Sequence, residues 1–234
     1  MLLNGQRIVF KGVNRHEWSC RTGRTVSREE MLWDVKNLKA HNVNAVRTSH
    51  YPDDPYFCSS AMNTACMSSG KRTLKRMVHG RNWGQTARTS GPCPVPARSG
   101  GRMCLPAPKH AGAGQKSPCY PDLVLRQRKL RRQDLWEMSE YFRHTDPSRL
   151  VHYEGIFWNR EYPATSDMES QMYTPVADIK KFLAEHPEKP FIMCEYSHAM
   201  GNSCGGITDY TEYAYEEPLY QGGFIWEYMD HASR

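Results

Sequence analysis

A basic, cysteine-dotted block from Cys58 to Gln133 divides this chain and limits how many regular elements it can supply. The block holds 15 lysines and arginines against one acid, Asp122, while the rest of the chain holds 16 against 24 acids. It is rich in Ser, Gly, Pro and Arg, and no period of 3.6 or 2.0 residues is sustained in it. Nothing therefore marks one face of a helix or strand for burial. Such a composition does not offset the entropy of ordering a chain, so 58–133 is expected to be largely disordered. Fold and function are sought in the two flanks, 1–57 and 134–234.

The flanks alternate between two kinds of pattern. Residues 7–13 are β-branched and apolar enough for a buried strand. Ser27 with Glu30 three residues later is a capping box. It opens a helix with Leu32, Val35 and Leu38 along one side. Residues 44–47 read as a second strand. Beyond the block, Asp134 starts a helix carrying Leu135, Met138, Tyr141 and Phe142, which Pro147 ends. A strand at 150–154 follows, then a helix at 176–185 with Ile179, Phe182 and Leu183 inward. Residues 190–195 form a buried strand ending in the carboxylate of Glu195. A helix at 206–216 and a strand at 223–227 close the series. Strands and helices in alternation, with polar residues at the strand ends, predict an α/β fold: a (β/α)8 barrel whose catalytic groups lie on the C-terminal rim. With the block in the middle the barrel is incomplete. Strands 1–2 come from 1–57, strands 5–8 from 134–234, and disordered basic chain replaces strands 3 and 4.

Bulk properties exclude some functions. The net charge of +6 arises in one block, so it does not make the whole chain a nucleic-acid binder. No apolar run approaches the roughly 20 residues that span a bilayer. The first residues lack a charged segment followed by an apolar one, so no secretory signal is expected. Cys20, Cys194 and Cys204 fit reduced thiols of a cytoplasmic protein. The five cysteines of the block show no zinc-ligand spacing, and no metal-ligating residue is assigned.

Four segments carry specific chemistry: Gly12-Val13-Asn14-Arg15-His16-Glu17, Asn44 through Pro52, Cys194-Glu195-Tyr196-Ser197-His198-Ala199-Met200-Gly201-Asn202-Ser203, and Gln221 through Asp230. In this order they resemble the catalytic barrel of the β-galactosidases in glycoside hydrolase family two. The resemblance covers about two thirds of the chain. It implies that Glu195 is the nucleophile of a retaining glycosidase, which attacks the anomeric carbon and forms a glycosyl-enzyme. It implies that Tyr173 stands beside Glu195, and that Arg47 keeps that carboxylate ionised. His16, His50 and His198 match sugar-binding histidines, and Trp226 matches an aromatic platform under the sugar ring. The expected substrate is a small β-galactoside. Close relatives act on β-glucuronides and β-mannosides, so the resemblance leaves the sugar open. Family members are often homo-oligomers, which is not expected of this stretch alone.

Two family motifs are missing. The acid/base lies in a Gly-Asn-Glu-Ser motif, and Mg²⁺ is held through a Glu-Ala-Asn-x-Glu-Thr-His-Gly motif. Neither occurs here, and both belong where the block stands. The family's Mg²⁺ and monovalent cation are therefore not expected in this chain. The block nonetheless hides both motifs. Permitted codons for His110–Gln133, read from the second base, encode a stretch containing Asn-His-Pro-Ala-Ile-Leu-Ile-Trp-Ser-Cys-Gly-Asn-Glu-Ser. The acid/base codon would straddle Arg128 and Lys129. Codons for Gly70–Gly80, read from the third base, encode Glu-Ala-Asn-Leu-Glu-Thr-His-Gly. This points to frame shifts within 58–133, in the gene or in its reading. The expectation is a β-galactosidase barrel lacking its acid/base and so inactive. Two alternatives stand beside it. In one, Glu154, Glu161 or Glu227 fills in for the acid/base. In the other, the basic block binds nucleic acid nonspecifically.

Overall fold

The structure is a computed structural model that describes residues 1–3, 5–51, 53–63, 67–73, 122–126, 132–147, 149–158 and 160–231. Eight parallel strands form one sheet. They are β1 (Phe10–Arg15), β2 (Ala45–Thr48), β3 (Met67–Thr73), β4 (Asp122–Arg126), β5 (Leu150–Tyr153), β6 (Glu169–Met172), β7 (Phe191–Tyr196) and β8 (Tyr220–Ile225). Their spatial order is β5-β4-β3-β2-β1-β8-β7-β6. Each strand pairs with its sequence neighbours except at the β5–β6 step, and β8 returns to β1, which is the winding of a (β/α)8 barrel. The described helices are α1 (Arg28–Ala40), α2 (Pro55–Asn63), α3 (Arg132–Thr145), α4 (Val176–Glu185) and α5 (Ile207–Glu216). None is long and apolar enough to cross a membrane.

Local chemistry explains the best-defined elements. Ser27 accepts a hydrogen bond from the Glu30 amide, and the Glu30 carboxylate accepts one from the Ser27 amide, so α1 starts on a reciprocal cap. Met31, Val35 and Leu38 of α1 bury against Val13 and Val46, with Phe57 and Ala61 of α2 beside them. On the other side, Ile179 and Leu183 of α4 and Tyr213 of α5 cover Phe191, Met193 and Tyr220. The alternate strand residues turn inward, where Phe10, Ala45, Ile192 and Phe224 meet Met168. A side chain at Gly12 would meet this filling, since a Cβ there would stand 2.3 Å from the Phe224 ring. Gly222, at φ +80°, lets β1 approach; a Cβ there would sit 2.3 Å from the Phe10 carbonyl oxygen.

The ring is incomplete between β5 and β6, where the described residues form no backbone ladder. One backbone bond, from the Asp167 amide to the Val151 carbonyl at 2.8 Å, and several side chains take its place. Asp167 Oδ2 accepts the Val151 amide at 2.6 Å, and Ser166 Oγ accepts the Tyr153 amide at 3.0 Å. Arg143 of α3 holds Asp167 in turn at 2.7 Å. The amides of a strand edge are thus satisfied without a partner strand.

The structure departs from the sequence reading at several places, among them the first and last strands, which run Phe10–Arg15 and Tyr220–Ile225 rather than 7–13 and 223–227. The block supplies strands in the third and fourth positions, where none is predicted. β3 pairs with β2 through Ala45↔Met67, and β4 pairs with β3 through Gly70↔Leu123. A ladder is built from backbone groups, so it does not require an alternating side-chain pattern, and Leu123-Val124-Leu125 adds a short apolar run. The expectation of disorder concerns mainly 74–121 and 127–131, which lie outside the described residues, as do most of the block's basic groups. Helix α3 begins at Arg132, two residues before the predicted Asp134. Helix α2 and strand β6 are unpredicted, because α2 runs into the block and Glu-Ser-Gln-Met has no apolar run.

Candidate active site

The C-terminal strand ends gather a buried polar cluster around Glu195. Its orientation comes from an irregularity in β7. Gly223 pairs with Met193 and Ile225 with Tyr196, so three steps on β7 oppose two on β8. This bulge leaves Met193 and Tyr196 both on the outer, helix-covered face and turns Glu195 to the inner one. Bulges next to active sites commonly re-aim a side chain in this way.

Arg47, at the end of β2, is fully buried beneath Glu195. Its Nη1 donates to Glu195 Oε1 at 3.2 Å, and its Nη2 donates to Glu154 Oε2 at 2.8 Å. Nη1 also donates to Asn14 Oδ1 on β1. Burial by itself would lower the Arg47 pKa, but Cys194, Glu154 and Glu195 around it carry it above the ordinary arginine value. One cation thus serves two carboxylates. Burial pushes the neighbouring Cys194 thiol up to about 11, so it stays protonated at neutral pH. Asn14 completes the support by donating to the Cys194 carbonyl at 3.0 Å and the Phe224 carbonyl at 3.2 Å.

Tyr173 closes the other side. Its hydroxyl donates to Glu195 Oε2 at 3.2 Å, and its amide donates to the Glu195 carbonyl at 2.8 Å. It leaves β6 at φ +54°, a left-handed conformation that costs a non-glycine residue about 1 kcal/mol or more. Burial first, and the Glu195 carboxylate second, hold the phenol well above its ordinary pKa, so it is a proton donor to Glu195. His198 lies against Tyr173, with ring centroids 6.0 Å apart.

A second group sits where β1 and β8 end. His50 stacks on Trp226 at 5.2 Å, and the His16 ring stands edge-on to Trp226 at 5.3 Å. His16 Nδ1 is 2.7 Å from Glu227 Oε2, and His231 approaches the same oxygen at 3.4 Å. Burial raises the Glu227 pKa against the pull of His231, and burial lowers that of His231. Behind this group, Arg15 is buried between Asp34 and Asp53, each 2.7 Å away, and covers the Phe57 ring. A cavity of about 400 Å³ opens beside Arg15, His16, Trp18, Asp34 and His231. Glu195 and Tyr173 do not line it, so it adjoins the Glu195 cluster rather than containing it.

The structure therefore brings Glu195, Tyr173 and Arg47 into one hydrogen-bonded set with His198 beside it. It brings His16, His50 and Trp226 into a second, aromatic set. The sequence reading assigned no role to Asn14 or His231, and it considered Glu154 and Glu227 only as stand-in acids. Asn14 and Glu227 lie inside the quoted motifs, so the signal was present. His231 stands just past the last motif and carries none. Glu161, the third stand-in, is exposed.

An eight-stranded parallel winding with a buried, arginine-held carboxylate on its C-terminal rim has the layout of the barrel enzymes. The particular family follows from comparison. Residues 1–62 and 128–234 match the model of glycosyl hydrolases family 2, TIM barrel domain, and the chain belongs to that family. It is 43% identical over 238 residues to a beta-galactosidase of Halalkalibacterium halodurans, covering 99% of this chain and 23% of that protein. It is 39% identical to the beta-galactosidase large subunit of Latilactobacillus sakei, covering 99% of this chain and 37% of that subunit. The chain thus spans only a minor part of the length of these curated relatives. Among solved structures, a glycosyl hydrolase family 2 member from Bacteroides cellulosilyticus superposes with a TM-score of 0.71 at 14% identity, covering 97% of this chain and 28% of that one. A beta-glucuronidase from Bacteroides uniformis superposes with a TM-score of 0.69 at 16% identity, covering 98% and 31%. At such identity these two bear on the fold alone.

Proposed function

We propose that this chain is the catalytic-barrel portion of a retaining β-galactosidase, with Glu195 as its nucleophile. The observation that carries the reading is the Glu195 carboxylate held between Arg47 and Tyr173. Arg47 balances the charge of the nucleophile. The Tyr173 hydroxyl fixes one oxygen, and so leaves the carboxylate aimed for attack on an anomeric carbon. His16, His50, His198 and Trp226 would bind the sugar on either side. The beta-galactosidase relatives favour a small β-galactoside as substrate.

The acid/base is the missing half. A retaining glycosidase needs a second carboxyl group about 5–5.5 Å from the nucleophile, protonated when the leaving oxygen departs. Glu154 is tied to Arg47, which favours its charge over a proton. Glu227 is engaged by His16. The family's Mg²⁺ does not fit the described residues either. A hard cation takes several oxygen ligands, whereas Glu154 and Glu195 are both held by Arg47 and Glu227 offers a free oxygen only beside two histidines. We read the absent acid/base and Mg²⁺ motifs as lost by frame shifts within 58–133. The family match, which skips 63–127, supports this reading.

Activity is expected to be negligible on lactose, since general acid catalysis contributes about 10²–10⁴-fold. A dinitrophenyl β-galactoside needs little protonation, so residual turnover should appear there and disappear in Glu195→Gln. Robust hydrolysis of lactose by this chain would refute the missing acid/base. Turnover of the aryl galactoside that survives Glu195→Gln would refute the nucleophile.

A further inference from the structure

His16, Glu227 and His231 converge although the first is more than 200 residues from the others. One ligand atom from each lies within 4.8 Å of the other two. The Glu227 side chain is almost wholly shielded from solvent, and its Oε1 has no hydrogen-bond partner. A buried oxygen without a donor costs about 1–3 kcal/mol, and a cation bound by this carboxylate would offset that cost. The two imidazole rings stand edge to face, 4.4 Å between centroids, so their nitrogens approach one carboxylate from different directions.

We propose that His16, Glu227 and His231 form a binding site for a zinc-class divalent cation. Two imidazoles and one carboxylate are a donor set suited to Zn²⁺ and its neighbours, whereas Mg²⁺ and Ca²⁺ take mostly oxygen. With bonds of about 2.0–2.1 Å, the ligand atoms of a tetrahedral site stand about 3.3–3.4 Å apart. His231 Nε2 and Glu227 Oε2 are already 3.4 Å apart. His16 Nδ1 and Glu227 Oε2, at 2.7 Å, must open by about 0.6 Å. The three ligands leave a fourth position open. The neighbouring cavity, lined by His16, Asp230 and His231, can bring a water or a hydroxyl to it. The site stands on geometry, so it does not depend on the glycosidase reading.

The test is binding, measured on the whole chain after its thiols have been alkylated and its metals removed by chelation. Calorimetric titration with Zn²⁺ is expected to give one equivalent, unaffected by excess Mg²⁺. Co²⁺ in its place should show the strong visible bands of a four-coordinate ion, without sulfur-to-metal charge transfer. Losing only an outer-shell partner of a metal ligand costs about 10–100-fold in affinity, so His231→Ala and Glu227→Gln should each cost at least tenfold. His231 is exposed, so His231→Ala tests the site without disturbing the core, and circular dichroism checks Glu227→Gln. Unchanged affinity in His231→Ala, or no Zn²⁺ binding by the parent chain, overturns the proposal.

Discussion

Replacing Arg47 with Met should be among the most damaging single changes in this chain. The guanidinium is fully buried and is the described cation between Glu154 and Glu195. Methionine fills much of the same volume, so the loss is mainly electrostatic. Removing one partner of a buried ion pair costs about 3–5 kcal/mol, because the other charge is left uncompensated. Here two carboxylates are left, which places the expectation at the upper end of that range. A domain stabilised by about 5–15 kcal/mol in all would lose a large part of its margin. Urea unfolding followed by circular dichroism reads the change from the midpoint and slope. Glu154→Gln alone should cost little, since it reduces the cluster's excess negative charge and keeps an acceptor for Arg47 Nη2. In the Arg47→Met background the same change should restore about 1–3 kcal/mol, because it removes one of the stranded charges. The Arg47→Met deficit should also narrow as pH falls, since protonating either carboxylate relieves the repulsion. An Arg47→Met chain within 1 kcal/mol of the parent, or a double variant no better than the single one, would show that the cluster is not organised around this cation.

Further outcomes follow from other parts of the molecule. Burial, only partly opposed by an Arg15 that is shared with Asp34, pushes the Asp53 carboxyl from 3.8 up to about 7. The folded state therefore keeps a proton that the unfolded state has released. Stability from this group should decline as pH rises from about 4 to about 7, by up to about 4 kcal/mol. Asp53→Asn should flatten that decline in urea midpoints measured across the window. Ser27→Ala removes one arm of the α1 capping box and should cost about 0.5–2 kcal/mol in thermal or urea unfolding. Asp167→Ala leaves the Val151 amide without its acceptor at the β5–β6 seam. It should cost about 1–3 kcal/mol and speed hydrogen exchange at that amide.

Some elements were open to reading because their signals are local. Helix α4 falls at its predicted 176–185, since Ile179 and Leu183 repeat with the helical period and both are buried. The cap on α1 was legible for the same reason, because Ser27 and Glu30 are three residues apart. Strand β7 could be seen as an apolar run. Strand β6 could not: Glu169 and Gln171 read as polar chain, and they are buried because β7 pairs with them through Glu169↔Phe191. Asp34 carries no local sign of burial in the α1 sequence, yet it is buried because Arg15 reaches it from β1.

By itself the sequence determined which groups arrive at the barrel rim. Strand-ending motifs place Arg47, Glu195 and Trp226 there, since a parallel α/β winding puts all strand C-termini at one end. Tertiary structure decided how those groups meet. The β7 bulge turns Glu195 inward, β-sheet register sets Arg47 between Glu154 and Glu195, and the return of β8 to β1 joins His16 to Glu227. The physical reason is one of range. Periodicity and capping act between residues a few positions apart, and a single chain displays them. The partners of Arg47 lie 107 and 148 residues away. Pairings at that range are fixed only when backbone ladders close the ring and burial forces each charge to find an opposite one.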